Sequence, residues 1–507
     1  MRMSQRPNVL IVTTDQQRTD SLGCYGSAFT HTPNIDRLAA QGVLFNRAYC
    51  ANPVCTPARA SIFSGLHVNR HGAWNVGMNV PEDVPMLSHR LAAEGYRTHY
   101  VGKVHFQAFG GTPEQSAESF ARPLDSFASW SGPYYGFETV EMALGHGNWG
   151  MGGHFGLWLR NQLPPEEMER IREPAARHSA AYFGGEAYDW DLPTRLHNSV
   201  WSANRAIAAL KSFPREQPFF LAVGFEDPHA PHIVPKDFVE RVDPAQVPMP
   251  DITEGELDDK PPHFRWAREG TIDRSPVRGA FWIAGQGEGA DFRTVSEREA
   301  RTGRAYYHTL VRLIDREMGR ILDCLEREGL AGNTIVVFTT DHGELLGDHG
   351  LWMKGPFHYE QLVRIPMIVR WPAGFAQGAR TEGLLSQVDI VPTVLSAVGL
   401  EGAEGLDGVD ACPLLRDEAG AVRDHVLIEC VDDPKTLRLK TIVTRDRKLT
   451  WYAGRDWGEL YDLAADPREK RNLWSAPASC AEKARLLGRL LDTLEPTERR
   501  APRYCYA

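Results

Sequence analysis

The stretch "PVCTPARASIFSG" at 53–65 places a cysteine where a helix begins. Pro57 follows Cys55 by two residues, and proline is favoured at the first helical position because its missing N–H would have no partner there. Cys55 would then face the positive end of the helix dipole, which lowers the pKa of a thiol and attracts an anion. Arg59, one turn further, can reach the same position. The pattern favours a nucleophile that attacks an anionic ester; a buried, unreactive cysteine is the alternative.

Polar side chains also follow four of the predicted strands. Ligand sites in open α/β sheets lie beyond the carboxyl ends of the strands, so the residues at these ends are candidates. In chain order they are Asp15 and Gln16, Lys103 and His105, His229 and His232, and Asp341 and His342. Each of them alone has a simpler interpretation as a turn residue, a structural histidine or a surface charge.

Four of these side chains together fit a metal site. Asp15 and Asp341 could supply carboxylate oxygens to one divalent cation, and Gln16 an amide oxygen. The imidazole of His342 shifts the expected ion from Ca²⁺ or Mg²⁺ toward Mn²⁺ or Zn²⁺. The alternative is that Asp341 caps a helix and that Gln16 is exposed.

The elements that must position these residues are those of an α/β fold. Apolar, β-branched runs alternate with helical patterns, which predicts a large, mostly parallel sheet flanked by helices. The predicted strands are 8–14, 97–103, 218–225 and 334–340, and the predicted helices are 86–96, 310–329 and 386–400.

The chain changes character near residue 400. Short strand patterns separated by turns, followed by a helix near 481–494, predict a smaller C-terminal antiparallel α+β subdomain. We therefore expect a catalytic domain at 1–400 and a subdomain with tail at 401–507. Within the first, a Gly-rich and aromatic stretch at about 107–200 predicts an insertion.

The aromatic residues of the insertion have two interpretations. They could line an apolar pocket for a leaving group, or they could pack the insertion against the main domain or form a subunit interface. The residues concerned are Trp130, Tyr134, Tyr135, Trp149 and Trp158.

Composition limits the class of partner. The chain has 507 residues, 42 % of them hydrophobic, and a net charge of −10 without a long basic run, so nucleic acid and anionic membranes are not expected partners. The short apolar run at the start and the lack of any membrane-length apolar stretch predict a cytoplasmic protein. Its eight cysteines include no C-x-x-C pair.

The motif Cys55-Thr56-Pro57-Ala58-Arg59 resembles the signature of the type I sulfatases of the alkaline phosphatase superfamily. The resemblance continues through "NVLIVTTDQQRTDSLGCYG", "TIVVFTTDHGELLGDHGLWMKG" and "GELYDLAADPREKRNL", and only 107–200 and 235–300 lack family motifs. It implies an alkaline phosphatase-like fold and conversion of Cys55 to formylglycine by a formylglycine-generating enzyme. The hydrated aldehyde would attack the sulfur and expel the alcohol, and its second hydroxyl would then eject sulfate.

The resemblance also implies roles for individual residues. The metal would be held by Asp15, Gln16, Asp341 and His342. Arg59 and Lys103 would orient the diol and the substrate oxygens, and His105 would accept a proton from the diol. His229 and Lys354 would lie near the leaving oxygen. Candidates for substrate binding are Asn75 and His232, and for His232 the other interpretations are a residue that supports the site from behind and an ordinary loop residue.

Two features leave the substrate class open. Many sulfatases have Asp-Asp and Asp-Asn at the positions of Asp15-Gln16 and Asp341-His342, whereas the pairs found here resemble the phosphonate monoester hydrolase branch. Lys103 and His105 are instead typical of true sulfatases. The expected function is hydrolysis of aryl or other small sulfate monoesters, with promiscuity toward phosphonate monoesters and phosphodiesters. The alternative is a phosphonate monoester or phosphodiester hydrolase with secondary sulfatase activity.

A hypothesis of another class is a protein whose Cys55 stays a thiol and whose pocket only binds anions. The expected cofactors of the enzyme are formylglycine and one divalent metal ion, Mn²⁺ or Zn²⁺ favoured over Ca²⁺. The expected partners are a small sulfate or phosphonate ester and the maturation enzyme, and a homo-oligomer is compatible with the sequence.

Overall fold

The computed structural model describes residues 6–172, 187–269, 295–400, 404–433 and 437–497. The strands are β1 (Asn8–Thr14), β2 (Val43–Tyr49), β3 (Arg97–Gly102), β4 (Thr139–Leu144), β5 (Ala187–Trp190), β6 (Phe219–Gly224), β7 (His232–Pro235), β8 (Thr334–Thr340), β9 (Arg364–Ile365), β10 (Met367–Arg370), β11 (Ala379–Ser386), β12 (His425–Asp433), β13 (Leu437–Thr444), β14 (Arg447–Tyr452) and β15 (Gly458–Asp462).

The helices, in chain order, are α1 (Pro33–Ala40), α2 (Cys55–Ser64), α3 (Val68–His71), α4 (Leu87–Ala93), α5 (Gly153–Arg160), α6 (Pro165–Ile171), α7 (Asn198–Ser212), α8 (Pro262–Glu269), α9 (Glu297–Arg327), α10 (Glu360–Val363), α11 (Ile390–Ala397), α12 (Cys412–Leu415) and α13 (Cys480–Leu494).

The main sheet is large and mostly parallel, as the sequence predicts. Within the described residues its strands run in the order β11-β2-β10-β8-β1-β6-β3-β4, with β9 paired to β2. The central strand β1 is parallel to β6 and β8, whereas the short strands β9 and β10 are antiparallel to their neighbours. The carboxyl ends of β1, β3, β6 and β8 therefore meet at one edge, where the candidate residues follow.

The sheet is buried on both faces by helices. Every residue of β1 is buried, which explains why "NVLIVTT" is a continuous run of β-branched and apolar residues rather than an alternating one. Val9 and Ile11 pack in the core that includes side chains of α2 and α4. Leu10 and Val12 point the other way, into the core that includes side chains of α7 and α9.

The stretch at 107–200 is more integrated than an insertion. It contributes β4, which the sequence analysis did not predict and which extends the main sheet in parallel with β3. Edge strands carry charges, and Glu141 in β4 pairs with Arg205, so an apolar run is missing there. The aromatic side chains of Trp130, Tyr134 and Tyr135 belong to one core and Trp158 to the other, which supports the packing interpretation for these four.

A separate antiparallel sheet, β12-β13-β14-β15, forms the C-terminal part, as expected. One face packs against Leu486 and Leu490 of α13. The other face contributes Val426, Ile428 and Val443 to the core of the main domain. The division at residue 400 stays a prediction, and the structure adds that the two parts share this core. None of the helices in the described ranges combines the length and the apolar character that crossing a bilayer requires.

Candidate active site

The nucleophile position lies at the start of a completely buried helix. α2 begins at Cys55, two residues before the start that Pro57 predicts. Pro57 is tolerated in this first turn because the first N–H groups of a helix have no partner within it. Val54 precedes the helix in extended conformation, and Gly65 ends it with a φ of 71°. Cys55 is 1 % exposed, so its side chain is held inside the protein.

Three of the four predicted metal-ligand positions, Asp15, Asp341 and His342, converge on Cys55. Thr14 and Thr340 are paired at the ends of β1 and β8, so the residues that follow them are neighbours. The thiol of Cys55 lies 3.6 Å from Asp15 Oδ1 and 3.3 Å from His342 Nε2. In the described part of the chain, a single group of side chains is arranged so that it could hold a metal ion. It consists of Asp15, Cys55, Asp341 and His342, whose possible ligand atoms all lie within 4.8 Å of one another.

Gln16 completes this cluster through a constrained amide. Its φ of 65° is unusual for a residue with a side chain, and its backbone N–H donates to Asp341 Oδ1 at 3.0 Å. Its Nε2 donates to the Glu344 carboxylate, which can only accept when ionised, and this fixes the orientation of the amide. The Oε1 atom is left buried without a hydrogen-bond partner among the described residues. A buried oxygen acceptor without a hydrogen-bond partner, on a residue next to two carboxylates, is a suitable ligand for a cation.

His342 is prepared as a neutral ligand. Burial lowers its pKa to about 4 against the opposing effect of Asp341, so the imidazole is uncharged near neutral pH. Its Nδ1 donates to the carbonyl oxygen of Gly343 at 2.9 Å, which leaves Nε2 pointing into the cluster. The residues present therefore fit one divalent metal ion, with three oxygen donors and one nitrogen donor.

Three buried cations surround the two carboxylates. Arg59 donates to Asp341 Oδ2 at 3.0 Å and to Asp15 Oδ2 at 3.3 Å, and Lys103 contacts the Asp15 carboxylate. Lys354 donates to the Cys55 thiol at 2.8 Å and lies 2.7 Å from Nε2 of His229. Lys103 and Lys354 are at most 1 % exposed, so neither is a solvated surface charge. The excess of cations over carboxylates favours an anionic substrate.

Lys103 is brought to this position by a close approach of two strands. Its backbone N–H donates to the carbonyl oxygen of Gly224 at 2.8 Å. Gly102, which precedes it, has a φ of 91°, and a Cβ atom there would lie 2.0 Å from the same carbonyl oxygen. Glycine is therefore required where β3 meets the end of β6.

The electrostatics of Cys55 differ from the sequence expectation. Burial raises the pKa of its thiol to about 11, and Asp15 adds to this, while Lys354 and Lys103 act in the opposite direction. The expected lowering by the helix dipole is thus outweighed by burial in contact with a carboxylate. Asp15 itself is ionised: although burial opposes its charge, the cationic side chains of Lys103, Arg59 and Lys354 hold its pKa well below the ordinary value. An unmodified Cys55 would be a protonated, weak nucleophile near neutral pH.

Two stacked histidines connect the lysines. His229 and His146 lie face to face with ring centroids 3.7 Å apart, and His146 contacts the ammonium group of Lys103. The Nδ1 atom of His229 donates to the carbonyl oxygen of Ala230 at 2.6 Å, so its Nε2 faces Lys354. Burial, reinforced by nearby cations, holds the pKa of both imidazoles well below the ordinary value. The pair is therefore neutral between the two lysines.

His146 is a residue of the site that the sequence pattern did not indicate. It lies just beyond the carboxyl end of β4, in the stretch without family motifs. The strand-end rule that selected Lys103 and His229 would have selected His146 as well, had β4 been recognised. His146 could therefore have been identified from the sequence if β4 had been predicted as a strand.

His105 lies beside the cluster rather than on Cys55. Its ring stacks on Phe109 at 4.1 Å, and its Nδ1 is buried without a hydrogen-bond partner in the described part of the chain. Burial lowers its pKa well below the ordinary value, helped by Lys103 and Arg59. Its role as proton acceptor stays a prediction.

The two candidates for substrate binding lie further out. Asn75 donates through Nδ2 to the carbonyl oxygen of Val431 on β12 at 3.1 Å. His232, the first residue of β7, packs edge-on against Tyr307 and Trp352, and burial lowers its pKa to about 3. Its position behind the Gln16 loop matches the alternative interpretation of a residue behind the site.

Comparison with known proteins identifies the family. The family model described as "Sulfatase" matches residues 7–400, and that described as "N-sulphoglucosamine sulphohydrolase, C-terminal" matches 347–495. The chain belongs to the sulfatase family. It is a sulfuric ester hydrolase.

Individual relatives span nearly the whole chain. The multifunctional alkaline phosphatase superfamily protein PehA of Trinickia caryophylli is 31 % identical over 94 % of this chain and 93 % of its own. An arylsulfatase of Clostridium perfringens is 24 % identical over 92 % and 90 %. The crystal structure of a phosphonate monoester hydrolase of Agrobacterium radiobacter superposes with a TM-score of 0.80, at 24 % identity over 97 % of this chain and 96 % of that one. The fold of this sulfatase is thus alkaline phosphatase-like, as expected.

Proposed function

We propose that this sulfatase hydrolyses monoesters of sulfate with aryl or other small alcohols through a formylglycine made from Cys55, with secondary activity on phosphonate monoesters and phosphodiesters. One observation carries the proposal: the side chain of residue 55 contacts the carboxylate and imidazole cluster on one side and Lys354 on the other. An oxygen nucleophile at this position would meet an ester anion that is already held by cations.

Four residues would hold one divalent metal ion, and His342 favours Mn²⁺ or Zn²⁺ over Ca²⁺. They are Asp15, Gln16, Asp341 and His342. Such an ion acts as a Lewis acid toward the oxygens around it, and formylglycine contributes a geminal diol as the source of the nucleophilic oxygen. The maturation partner would be a formylglycine-generating enzyme.

The remaining residues bind the ester and move protons. Lys103 and Lys354 bind the nonbridging oxygens of the ester, while Arg59 holds both carboxylates in place. His229 shares a hydrogen bond with Lys354, so this pair can deliver a proton to the departing alkoxide oxygen. His105, whose Nδ1 has no other partner in the described residues, accepts the proton released at residue 55.

The second candidate is a phosphonate monoester or phosphodiester hydrolase with secondary sulfatase activity. Gln16 and His342 favour it, because they replace the extra carboxylate and the amide that many sulfatases have at these positions. PehA, the relative described as multifunctional, is consistent with either order of preference. Values of kcat/KM measured in parallel on aryl sulfate, phosphodiester and phosphonate ester decide the class, since the largest names it.

The test of the mechanism is the state of residue 55. We expect the mass of the peptide spanning Cys55 to be that of formylglycine in active protein, and Cys55→Ala to abolish turnover of every ester while the protein stays folded. Cys324→Ala, which removes another buried thiol in α9, is the matched control and retains activity. An unmodified thiol in fully active protein would refute the formylglycine mechanism, whereas an unmodified thiol in protein that turns over no ester would support the anion-binding hypothesis.

A further inference from the structure

A series of aromatic rings leads from the reaction centre to the surface. It begins at His229, on which His146 stacks, and His146 meets the ring of Phe109 at an angle of 63° with centroids 6.2 Å apart. Phe109 in turn contacts Phe120 at 5.0 Å, and Phe120 is 44 % exposed. Few large apolar side chains of the described residues are this exposed, so an exposed phenyl ring at the end of this series requires an explanation.

The loop that carries these rings is fixed in place. The carboxylate of Glu118 accepts hydrogen bonds from three successive backbone N–H groups that begin at His105. The ring of His105 then stacks on Phe109 with an interplanar angle of 7°. The backbone N–H of Phe120 donates to the carbonyl oxygen of Phe109 at 2.9 Å. The two phenylalanines, which we call the aromatic wall, are therefore positioned before any substrate binds.

The aromatic wall lies on the side from which the leaving group departs. Lys354 contacts both Cys55 and His229, so the leaving oxygen of an ester held at residue 55 lies near His229. The rest of the alcohol must extend from there toward solvent. The side chains in ring contact along this route are two imidazoles and two phenyl rings, the last of them exposed, so the route is poorer in hydrogen-bond partners than the hydroxyl groups of a sugar require.

We propose that Phe109 and Phe120 bind the leaving group by ring stacking and that the preferred substrates are esters of phenols or other aromatic alcohols. The proposal rests on the proposed function, because it takes residue 55 as the point of attack.

The test compares two esters of different shape in wild type and variants. We expect Phe109→Leu and Phe120→Leu to lower the ratio of kcat/KM for p-nitrophenyl sulfate to that for trifluoroethyl sulfate by roughly 2- to 12-fold, the range for aromatic pairs. The intrinsic reactivity of each ester cancels in this comparison. Leucine keeps the apolar volume, and Trp158→Leu is the control that leaves the ratio unchanged.

A binding measurement separates this proposal from the proposed function. Benzenesulfonate and methanesulfonate are titrated into the same proteins, with no turnover required. Wild type should prefer benzenesulfonate, and both wall variants should lose a similar factor of this preference. If wild type hydrolyses no sulfate ester but still shows the preference, the proposed function fails and the aromatic wall stands. If the binding preference and the kinetic ratio of both wall variants stay within about twofold of the wild-type values, the aromatic wall is refuted even though the enzyme is active.

Discussion

The orientation of the Gln16 amide gives the sharpest prediction about the metal. Glu344 is completely buried. One of its carboxylate oxygens accepts a hydrogen bond from Gln16 Nε2, and the other accepts from the backbone N–H of Leu346 at 2.9 Å. Glu344→Gln keeps the shape, but its amide group would now face Gln16 as a donor. Gln16 must then turn its Oε1 toward residue 344, which removes this oxygen from the ion. The loss should be that of a ligand-orienting partner, about 10- to 100-fold in metal affinity.

The assay is direct titration of metal-free protein with Mn²⁺ or Zn²⁺ in competition with a chelating dye. A 10- to 100-fold weaker Kd corresponds to about 1.4 to 2.7 kcal/mol, and the stabilisation by excess metal should fall by the same amount. Glu226→Gln is the matched control: it is a buried carboxylate near the cluster that accepts from Asn198, and its replacement should leave the Kd within about twofold. If Glu344→Gln binds metal as tightly as wild type, Gln16 is not a ligand oriented in this way.

Three further outcomes are expected. Lys448→Met leaves the buried Glu469 without the lysine that pairs with it and removes one of the two cations beside Glu360, so it should cost about 3–5 kcal/mol in chemical unfolding, whereas exposed Arg485→Gln should cost less than about 1 kcal/mol. Burial raises the pKa of Glu469 to about 7, above its unfolded value, so its protonated form favours folding and the cost should shrink as pH falls from about 8 to about 6. His146→Ala should lower kcat about 10- to 100-fold and change its pH profile, with partial rescue by His146→Gln, which can still accept from Lys103. Removing metal with a chelator should abolish turnover, and elemental analysis finding only Ca²⁺ would contradict the inference from His342.

Much of the site could be predicted because it lies at strand ends. Strands such as β1 and β8 are buried on both faces, so their sequences are apolar runs that are recognisable without any neighbour. Asp15 and Asp341 follow these runs directly, and parallel pairing then brings them to one edge. The large parallel sheet and the antiparallel C-terminal sheet were predictable for the same reason: each depends on local patterns.

What could not be predicted depends on tertiary contacts. β4 carries the partly exposed Glu141 and is an edge strand, so its pattern is weak and His146 was overlooked. The raised pKa of Cys55 comes from complete burial against Asp15, which outweighs the helix start that the sequence shows. The aromatic residues of 107–200 showed no periodicity that would separate buried residues such as Tyr134 from the exposed Phe120.

The position of residue 55 depends on parts of the chain that are distant in sequence. The loop before it is held at Ala51, whose N–H donates to Gln387 and whose carbonyl oxygen accepts from the backbone of Glu429 on β12. Gln387 also donates to the carbonyl oxygens of Thr340 and Asp341. One amide side chain thus ties the nucleophile loop to the strand that carries the metal ligands, and the C-terminal sheet holds the loop from the other side. Since a displacement of about 1 Å can cost a hundredfold in rate, the C-terminal part is better understood as support for the nucleophile than as an appended domain.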